Sequence, residues 1–266
     1  MNGGLYETLR DALRASRPIA LVTVIEGPGI GMKLLVEPDR ASLGSLGNTD
    51  LDRVAARDAL GELAAGRSSA RHYGARGEAR ERVVSVFIES FALPPRMVIF
   101  GAVDFTAALA RAAKLLGYHV TVCDARAVFA TSQRFPMADE VVNEWPDRYL
   151  QRTGADLGPR DAICVLTHDA KFDVPAISEG VRTGVGYLGA MGSRRTDEQR
   201  RMRLREAGLG DAELAKVMSP IGLDLGARTP EEVAIAICAE IIALRTGRVP
   251  APLRDGTGPI HAESTR

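Results

Sequence analysis

The sequence predicts an α/β protein: a Rossmann-like parallel-sheet domain in the C-terminal part, preceded by a smaller α+β N-terminal domain. Three observations predict it. Beyond Pro95, short hydrophobic runs alternate with helical patterns, the order that a parallel sheet with right-handed crossovers requires. The first of those runs, Arg96 to Phe100, passes through Gly101 directly into a helical pattern. Ahead of Leu93, runs rich in β-branched residues are separated by Gly and Pro turns around one long helical pattern.

Taken in order, Leu5 to Ala15 carries leucines at 5, 9 and 13 with charges between them, an amphipathic helix that lies on a core. Ile19 to Ile25, Lys33 to Glu37 and Val83 to Ile88 read as strands, and Asp50 to Ala65 reads as a helix entered at Thr49. Leu93-Pro94-Pro95 ends this part, because two prolines donate nothing to a ladder and stiffen the link. A domain boundary is placed there, giving 1–93 and 96–246. In the second domain Arg96 to Phe100 is a strand and Phe105 to Leu116 a helix closed by Gly117. His119 to Cys123, Ala162 to Thr167 and Val185 to Leu188 are strands short and apolar enough to be covered on both faces. Two helices end the fold: Asp197 to Ala207, entered at Thr196 with Gln199 three residues on, and Pro230 to Leu244, entered at Thr229 with Pro at the first position and Glu232 at the third. From Gly247 onward, 247–266, Pro, Gly and polar residues without periodicity read as a disordered tail. No internal repeat is visible.

Composition narrows the functions. The chain has 266 residues, is 45% hydrophobic and 26% charged, and balances 34 basic against 34 acidic residues. A neutral balance supplies no global field for nucleic acid or anionic membrane. No apolar run approaches the roughly 18 to 20 residues of a membrane span, and Met1 to Ser16 lacks a signal-peptide core, so the expected location is cytoplasmic. Cys123, Cys164 and Cys238 sit among apolar residues at spacings that match neither zinc nor disulfide patterns, and they read as reduced core residues with no metal site.

The first turn reads Gly101-Ala102-Val103-Asp104-Phe105-Thr106-Ala107. A dinucleotide fingerprint needs one glycine to turn, a second to admit the pyrophosphate and a third small residue to pack helix on strand. Gly101 and Ala107 meet the first and third needs. Val103 puts a branched side chain where the pyrophosphate would lie, and Asp104 adds negative charge, so NAD(P) binding is disfavoured. Asp124, ending the second strand, either bonds a ribose 2′-hydroxyl or caps the turn, and the residues leave both open. His168 and Asp169 emerge at a strand's carboxyl end, where ligands bind in open α/β sheets. They either serve a ligand, with Asp173 nearby, or hold the loop and cap the next helix. Gly189-Ala190-Met191-Gly192-Ser193-Arg194-Arg195 leads into a helix, and glycines, a hydroxyl and two guanidinium groups at a helix N-terminus favour a phosphate. A third loop, Ser219 to Arg228, again sets glycines, Asp224 and Arg228 before a capped helix.

Thr167-His168-Asp169, the run Tyr187 to Thr196 (YLGAMGSRRT) and the run Pro220 to Glu232 (PIGLDLGARTPEE) closely resemble the XdhC/CoxI family, as do Val98 to Ala102 and Val122 to Arg126. The resemblance spans about 95 to 246. It implies a non-catalytic accessory protein that binds the molybdenum cofactor, as molybdopterin or a dinucleotide form of it. Such a protein assists sulfuration of the cofactor and its insertion into a molybdenum hydroxylase of the xanthine dehydrogenase or CO dehydrogenase type. On this reading the cofactor is held by Gly101, Ala102, Asp124, Arg126, His168, Asp169, Gly189, Gly192, Ser193, Arg194, Arg195, Asp224 and Arg228, with no catalytic residue assigned. The partners it implies are the hydroxylase apoenzyme, a cysteine desulfurase and a second copy of the chain, with no nucleic acid. Two departures stand out: Gly44 to Asp50 lacks the cysteine that usually ends the family's N-terminal glycine-rich segment, and Val103-Asp104 replaces a usual glycine and histidine. The rival readings are an NAD(P)-dependent oxidoreductase with His168 as proton donor, and a non-catalytic docking scaffold for hydroxylase maturation.

Overall fold

The computed structural model describes residues 3–79, 81–257 and 260. The chain divides into two compact units between Leu93 and Pro94. The first contains α1 (Gly3–Arg14), β1 (Ile19–Glu26), β2 (Lys33–Val36), β3 (Leu43–Ser45), α2 (Thr49–Ala65), β4 (Ser69–Tyr73) and β5 (Val84–Phe91). Its strands form an antiparallel sheet in the order β3-β2-β1-β5-β4. Alternation along the strands sends Val22, Val24, Val86 and Ile88 to one face, where they bury Leu51, Ala55 and Ala59 of α2. A smaller cluster joins Ala12 of α1 to Ile19 and Leu35. The helix α2 starts one residue earlier than expected, because the Asn48 side chain, rather than that of Thr49, accepts the Asp50 and Leu51 amides at 2.9 and 3.2 Å.

The second unit contains β6 (Arg96–Phe100), α3 (Asp104–Leu115), β7 (His119–Cys123), β8 (Glu140–Val142), α4 (Pro146–Thr153), β9 (Ala162–Val165), α5 (Ala170–Gly180), β10 (Tyr187–Ala190), α6 (Arg194–Glu206), α7 (Asp211–Leu214), β11 (Val217–Met218) and α8 (Pro230–Thr246). The six strands are all parallel, in the order β11-β10-β9-β6-β7-β8. This is the doubly wound Rossmann arrangement, with its topological switch between β6 and β9. Each sheet face is covered. One core gathers α3 and α8 around Ile99, Val120 and Leu166, and the other gathers α4, α5 and α6 around Val98, Phe100 and Ile163.

Several elements go beyond what the sequence predicts: the strands β3, β4 and β8, the helix α4, and the short α7 and β11, while α5 is the helix that the capping alternative for Asp169 expects. In the tail, Leu253–Asp255 forms a single 3-10 turn, while 258, 259 and 261–266 of the expected disordered segment lie outside the described residues. Among the described residues no helix is long and apolar enough to cross a membrane.

Candidate functional site at the carboxyl edge of the parallel sheet

In a doubly wound sheet the loops leaving the strands' carboxyl ends line the ligand crevice, deepest at the switch point. Here those loops follow β6, β7, β9, β10 and β11, and together with the first turn of α6 they contain every expected cofactor-binding residue except Gly189.

The turn after β6 is held by the protein itself. Gly101 has φ +109°, and a Cβ there would lie 2.6 Å from Thr167 Cγ2, so only glycine lets β6 and β9 approach this closely. The Gly101 carbonyl accepts from the Thr106 hydroxyl. The next amide, Ala102 N–H, donates to Asp124 Oδ2 at 2.8 Å. Asp124 is buried, and its carboxylate also accepts from the Arg126 backbone amide at 2.9 Å, from Arg126 Nε at 2.9 Å and from Arg126 Nη2 at 2.7 Å. Burial alone would push this carboxyl up. The Arg126 guanidinium and the two backbone amides outweigh burial and hold it below the usual carboxylate range. Arg134, from the loop between β7 and β8, closes over the same turn, donating to the Ala102 carbonyl at 3.1 Å and lying 3.7 Å from Asp104.

Beside it runs a stack of flat groups. The Arg126 guanidinium lies 4.9 Å from the Phe129 ring centre and 5.4 Å from that of Phe172. Phe172 in turn stacks on Trp145, with ring centres 4.8 Å apart and planes at 17°. The sequence offers no signal for this ladder beyond the rarity of aromatics.

After β9, His168 and Asp169 are both exposed. Asp169 is the N-cap of α5, accepting the Lys171 amide at 3.0 Å. Directly behind them is a buried network. Arg200 of α6 is 3% exposed and donates to Asp173 Oδ2 at 3.0 and 3.3 Å, to the Met191 carbonyl at 2.6 Å and to Ser219 Oγ at 3.0 Å. Asp173 also accepts from the Thr167 hydroxyl. One guanidinium and one carboxylate therefore tie together the residues that leave β9, β10 and β11. Burial raises the Asp173 carboxyl above its ordinary value, against the opposing pull of Thr167 and Arg200. Sequence reasoning misses Arg200. Its only signal is position, four residues before Leu204, the other buried residue of α6.

After β10 the helix begins three residues earlier than the sequence suggests. Ser193, not Thr196, is the N-cap, its hydroxyl accepting the Thr196 amide at 3.1 Å. Arg194 and Arg195 thus belong to the first turn of α6, where backbone N–H groups lack helical acceptors. Both are exposed, and Arg194, at 89% side-chain exposure, has the exposed Asp224 near it, at 3.8 Å. Gly192 is pressed between Thr196 Cβ and Arg200, where a Cβ would meet them at 3.2 and 3.4 Å. Arg228 is exposed beside the α8 cap, where Thr229 and Glu232 form the expected reciprocal pair. Gly189 does not reach the edge. It is buried within β10, where a Cβ would lie 2.5 Å from Ile221 and 2.8 Å from Tyr187, so its smallness serves packing.

The three cysteines are buried. Burial pushes the Cys123 thiol up to about 12 and the Cys238 thiol up to about 11, and drives Cys164 higher still. Among the described residues no group of three His, Cys, Asp or Glu side chains is placed to hold a metal ion.

Comparison with known proteins matches residues 97–241 to the model described as the XdhC Rossmann domain and residues 12–74 to that of the XdhC and CoxI family. The chain is 33% identical over 165 residues to a Bacillus subtilis (strain 168) protein named as a probable component of xanthine dehydrogenase, covering 62% of this chain and 47% of the relative. It is 28% identical over 99 residues to the "Molybdenum cofactor insertion chaperone PaoD" of Escherichia coli (strain K12), covering 37% of this chain and 31% of the relative. The chain thus spans less than half the length of either curated relative. A crystal structure described as a xanthine dehydrogenase from Bacillus halodurans has the same fold, with TM-score 0.54, 20% identity and coverage of 91% of this chain and 96% of that one.

Proposed function

The chain belongs to the XdhC and CoxI family, and on that premise we propose that it is a non-catalytic accessory factor that carries the molybdenum cofactor to a molybdenum hydroxylase. The cofactor is cargo, held at the carboxyl edge of the parallel sheet. One observation carries this reading: the two anion-binding positions of the edge differ in what occupies them. At the turn after β6 the protein's own Asp124 carboxylate takes the Ala102 amide. At the start of α6 Ser193 takes the Thr196 amide, the Arg194 and Arg195 amides have no helical acceptor, both arginine side chains are exposed, and the helix dipole adds to their attraction for a phosphate.

In this assignment the cofactor's phosphate rests on Gly192 to Arg195, and the pterin extends along the edge towards His168 and Asp169. Asp224 and Arg228 border the phosphate end. The family likeness of the relative named as an insertion chaperone supports the direction of transfer, from this protein to an apoenzyme. Sulfur added to the cofactor comes from a partner such as a cysteine desulfurase, because the chain's own thiols are buried and protonated and Gly44 to Asp50 carries no cysteine. The nicotinamide alternative is weakened by the same Asp124. A carboxylate bound to Ala102 and Arg126 is not available to a ribose hydroxyl.

The test is a double variant, Arg194→Ala with Arg195→Ala, purified after expression beside a molybdenum hydroxylase and assayed for pterin fluorescence after oxidation. Charge-assisted hydrogen bonds contribute about 1.5–3 kcal/mol each, so bound cofactor should fall about tenfold or more. Unchanged cofactor content removes the phosphate assignment.

A further inference from the structure

The edge holds one feature that the phosphate assignment does not use. The single tryptophan of a chain with only 5% aromatic residues sits in the ladder Phe129, Arg126, Phe172, Trp145. The ladder joins the loop after β7, which holds Arg126 and Phe129, to Phe172 at the start of α5 after β9, and Trp145, the residue that caps α4 after the edge strand β8, extends it outward. Its middle is fixed. Phe172 is buried, and Arg126 is clamped by the Asp124 carboxylate through both Nε and Nη2, which holds the guanidinium in one plane. Its outer rung is open: Trp145 is 41% exposed although one ring face is covered by Phe172. A core aromatic would be expected to bury both faces. An indole backed on one face by a stacked ring, with 41% of the residue open to water, is a pre-ordered platform, which costs little entropy when a ligand settles on it.

We propose that the outer face of Trp145 is a stacking subsite for a flat, electron-poor heterocycle, a pterin or a nucleobase, with Asp124 as the positioning residue that keeps the ladder in register through Arg126. The proposal rests on the cofactor-carrier reading for its choice of ligand, and on the ladder alone for its geometry. It changes what the acidic residue at the end of β7 does. In a dinucleotide-binding fold that residue meets a ribose hydroxyl. Here it meets Arg126, and recognition passes through stacking.

The full-length protein is titrated separately with pterin, GMP and CMP while indole emission is followed, since Trp145 is the sole tryptophan. Saturable quenching is expected, and the ring that quenches at the lowest concentration identifies whether the pterin or the nucleotide part is read. Stacking of a base on an aromatic side chain corresponds to about a 5- to 150-fold change in affinity on its removal. Trp145→Leu should lose that factor, as read by polarisation of the pterin's own fluorescence or by calorimetry, and Trp145→Phe should retain most of it. Asp124→Asn should weaken binding in the same direction without touching the ligand. No saturable quenching by any of the three probes, or a Trp145→Leu variant that binds as tightly as the parent, overturns the subsite. Quenching by an apo-hydroxylase but by none of the heterocycles also overturns it, in favour of a protein-docking aromatic. Undiminished cofactor in purified Trp145→Leu overturns the subsite while leaving the carrier reading intact. Quenching by free pterin in a protein that never co-purifies cofactor upholds the subsite and overturns the carrier reading.

Discussion

Replacing Arg200 by methionine should destabilise the parallel-sheet unit more than any other single change at the edge. The side chain is fully enclosed, and its removal strands three kinds of acceptor at once: the Asp173 carboxylate, the Met191 carbonyl and the Ser219 hydroxyl. Breaking a buried ion pair from one side costs about 3–5 kcal/mol, most of it the uncompensated charge left behind. At about 2–4 °C per kcal/mol for a unit of this size, the midpoint should fall by about 6–20 °C. Urea or thermal unfolding followed by Trp145 emission reports on this unit specifically, which matters because two compact units need not unfold together. Removing both charges, Arg200→Met with Asp173→Leu, should cost less than the sum of the single changes, since residues sharing a network couple by about 0.5–3 kcal/mol. A loss below about 1 kcal/mol for Arg200→Met, or strict additivity in the double variant, would refute the idea that this pair anchors the three strand ends.

Acid should act through Asp124. Its carboxyl is held below the ordinary carboxylate range in the folded protein, so it contributes stability that is present above the unfolded value near about 3.9 and is lost as pH falls through the lower folded value. The stability gap between wild type and Asp124→Asn should therefore be constant from pH 7 to 5 and shrink below about 4; a pH-independent gap in urea midpoints contradicts this. The cysteines should be inert in the native state, because their buried thiols stay protonated at pH 8. Ellman's reagent should label them only after denaturant is added, and rapid native labelling of even one would contradict the burial.

The parts of the fold that are legible in the sequence are those set by local pattern. The buried strands β6, β7, β9 and β10 are short apolar runs, and the α8 entry is written in Thr229, Pro230 and Glu232, whose reciprocal bonds the structure contains. Where two residues of the right type compete, local pattern fails. Ser193 and Thr196 can each cap a helix, and the choice goes to Ser193 because Gly192 lets the chain close against Arg200 just before it. Moving the cap back makes Arg194 and Arg195 helical. The α5 helix is hard to trace in the sequence because Asp169 and Asp173 have the look of ligands and Pro175 stands at its sixth position, where a proline gives up a backbone hydrogen bond. Arg200 is invisible for a different reason. α6 is so rich in charge, RRTDEQRRMRLRE, that no apolar stripe marks which arginine turns inward. The aromatic ladder is wholly tertiary, joining residues from the loops after β7 and β8 and from the first turn of α5, and no window of sequence contains it.

These differences bear on function in one direction. The glycine turn after β6 still makes the fold, since Gly101 must be glycine to pass Thr167. It no longer makes the site, because the anion that a dinucleotide would bring is already present as Asp124. A protein that meets its own backbone amide with its own carboxylate must desolvate any competing phosphate and expel a buried charge to bind there, which is unfavourable on both counts. Beside the exposed arginines at the start of α6 the carboxylates are Asp224, in water 3.8 Å from Arg194 and screened accordingly, and Asp197 of the first turn, already paired with Arg201 at 2.8 Å. Ligand binding at this edge should therefore follow the order of those costs. On the proposed assignment phosphate would go towards β10 and α6 and the flat ring towards Trp145 at the end of the loop after β8, with the glycine turn after β6 left as scaffold.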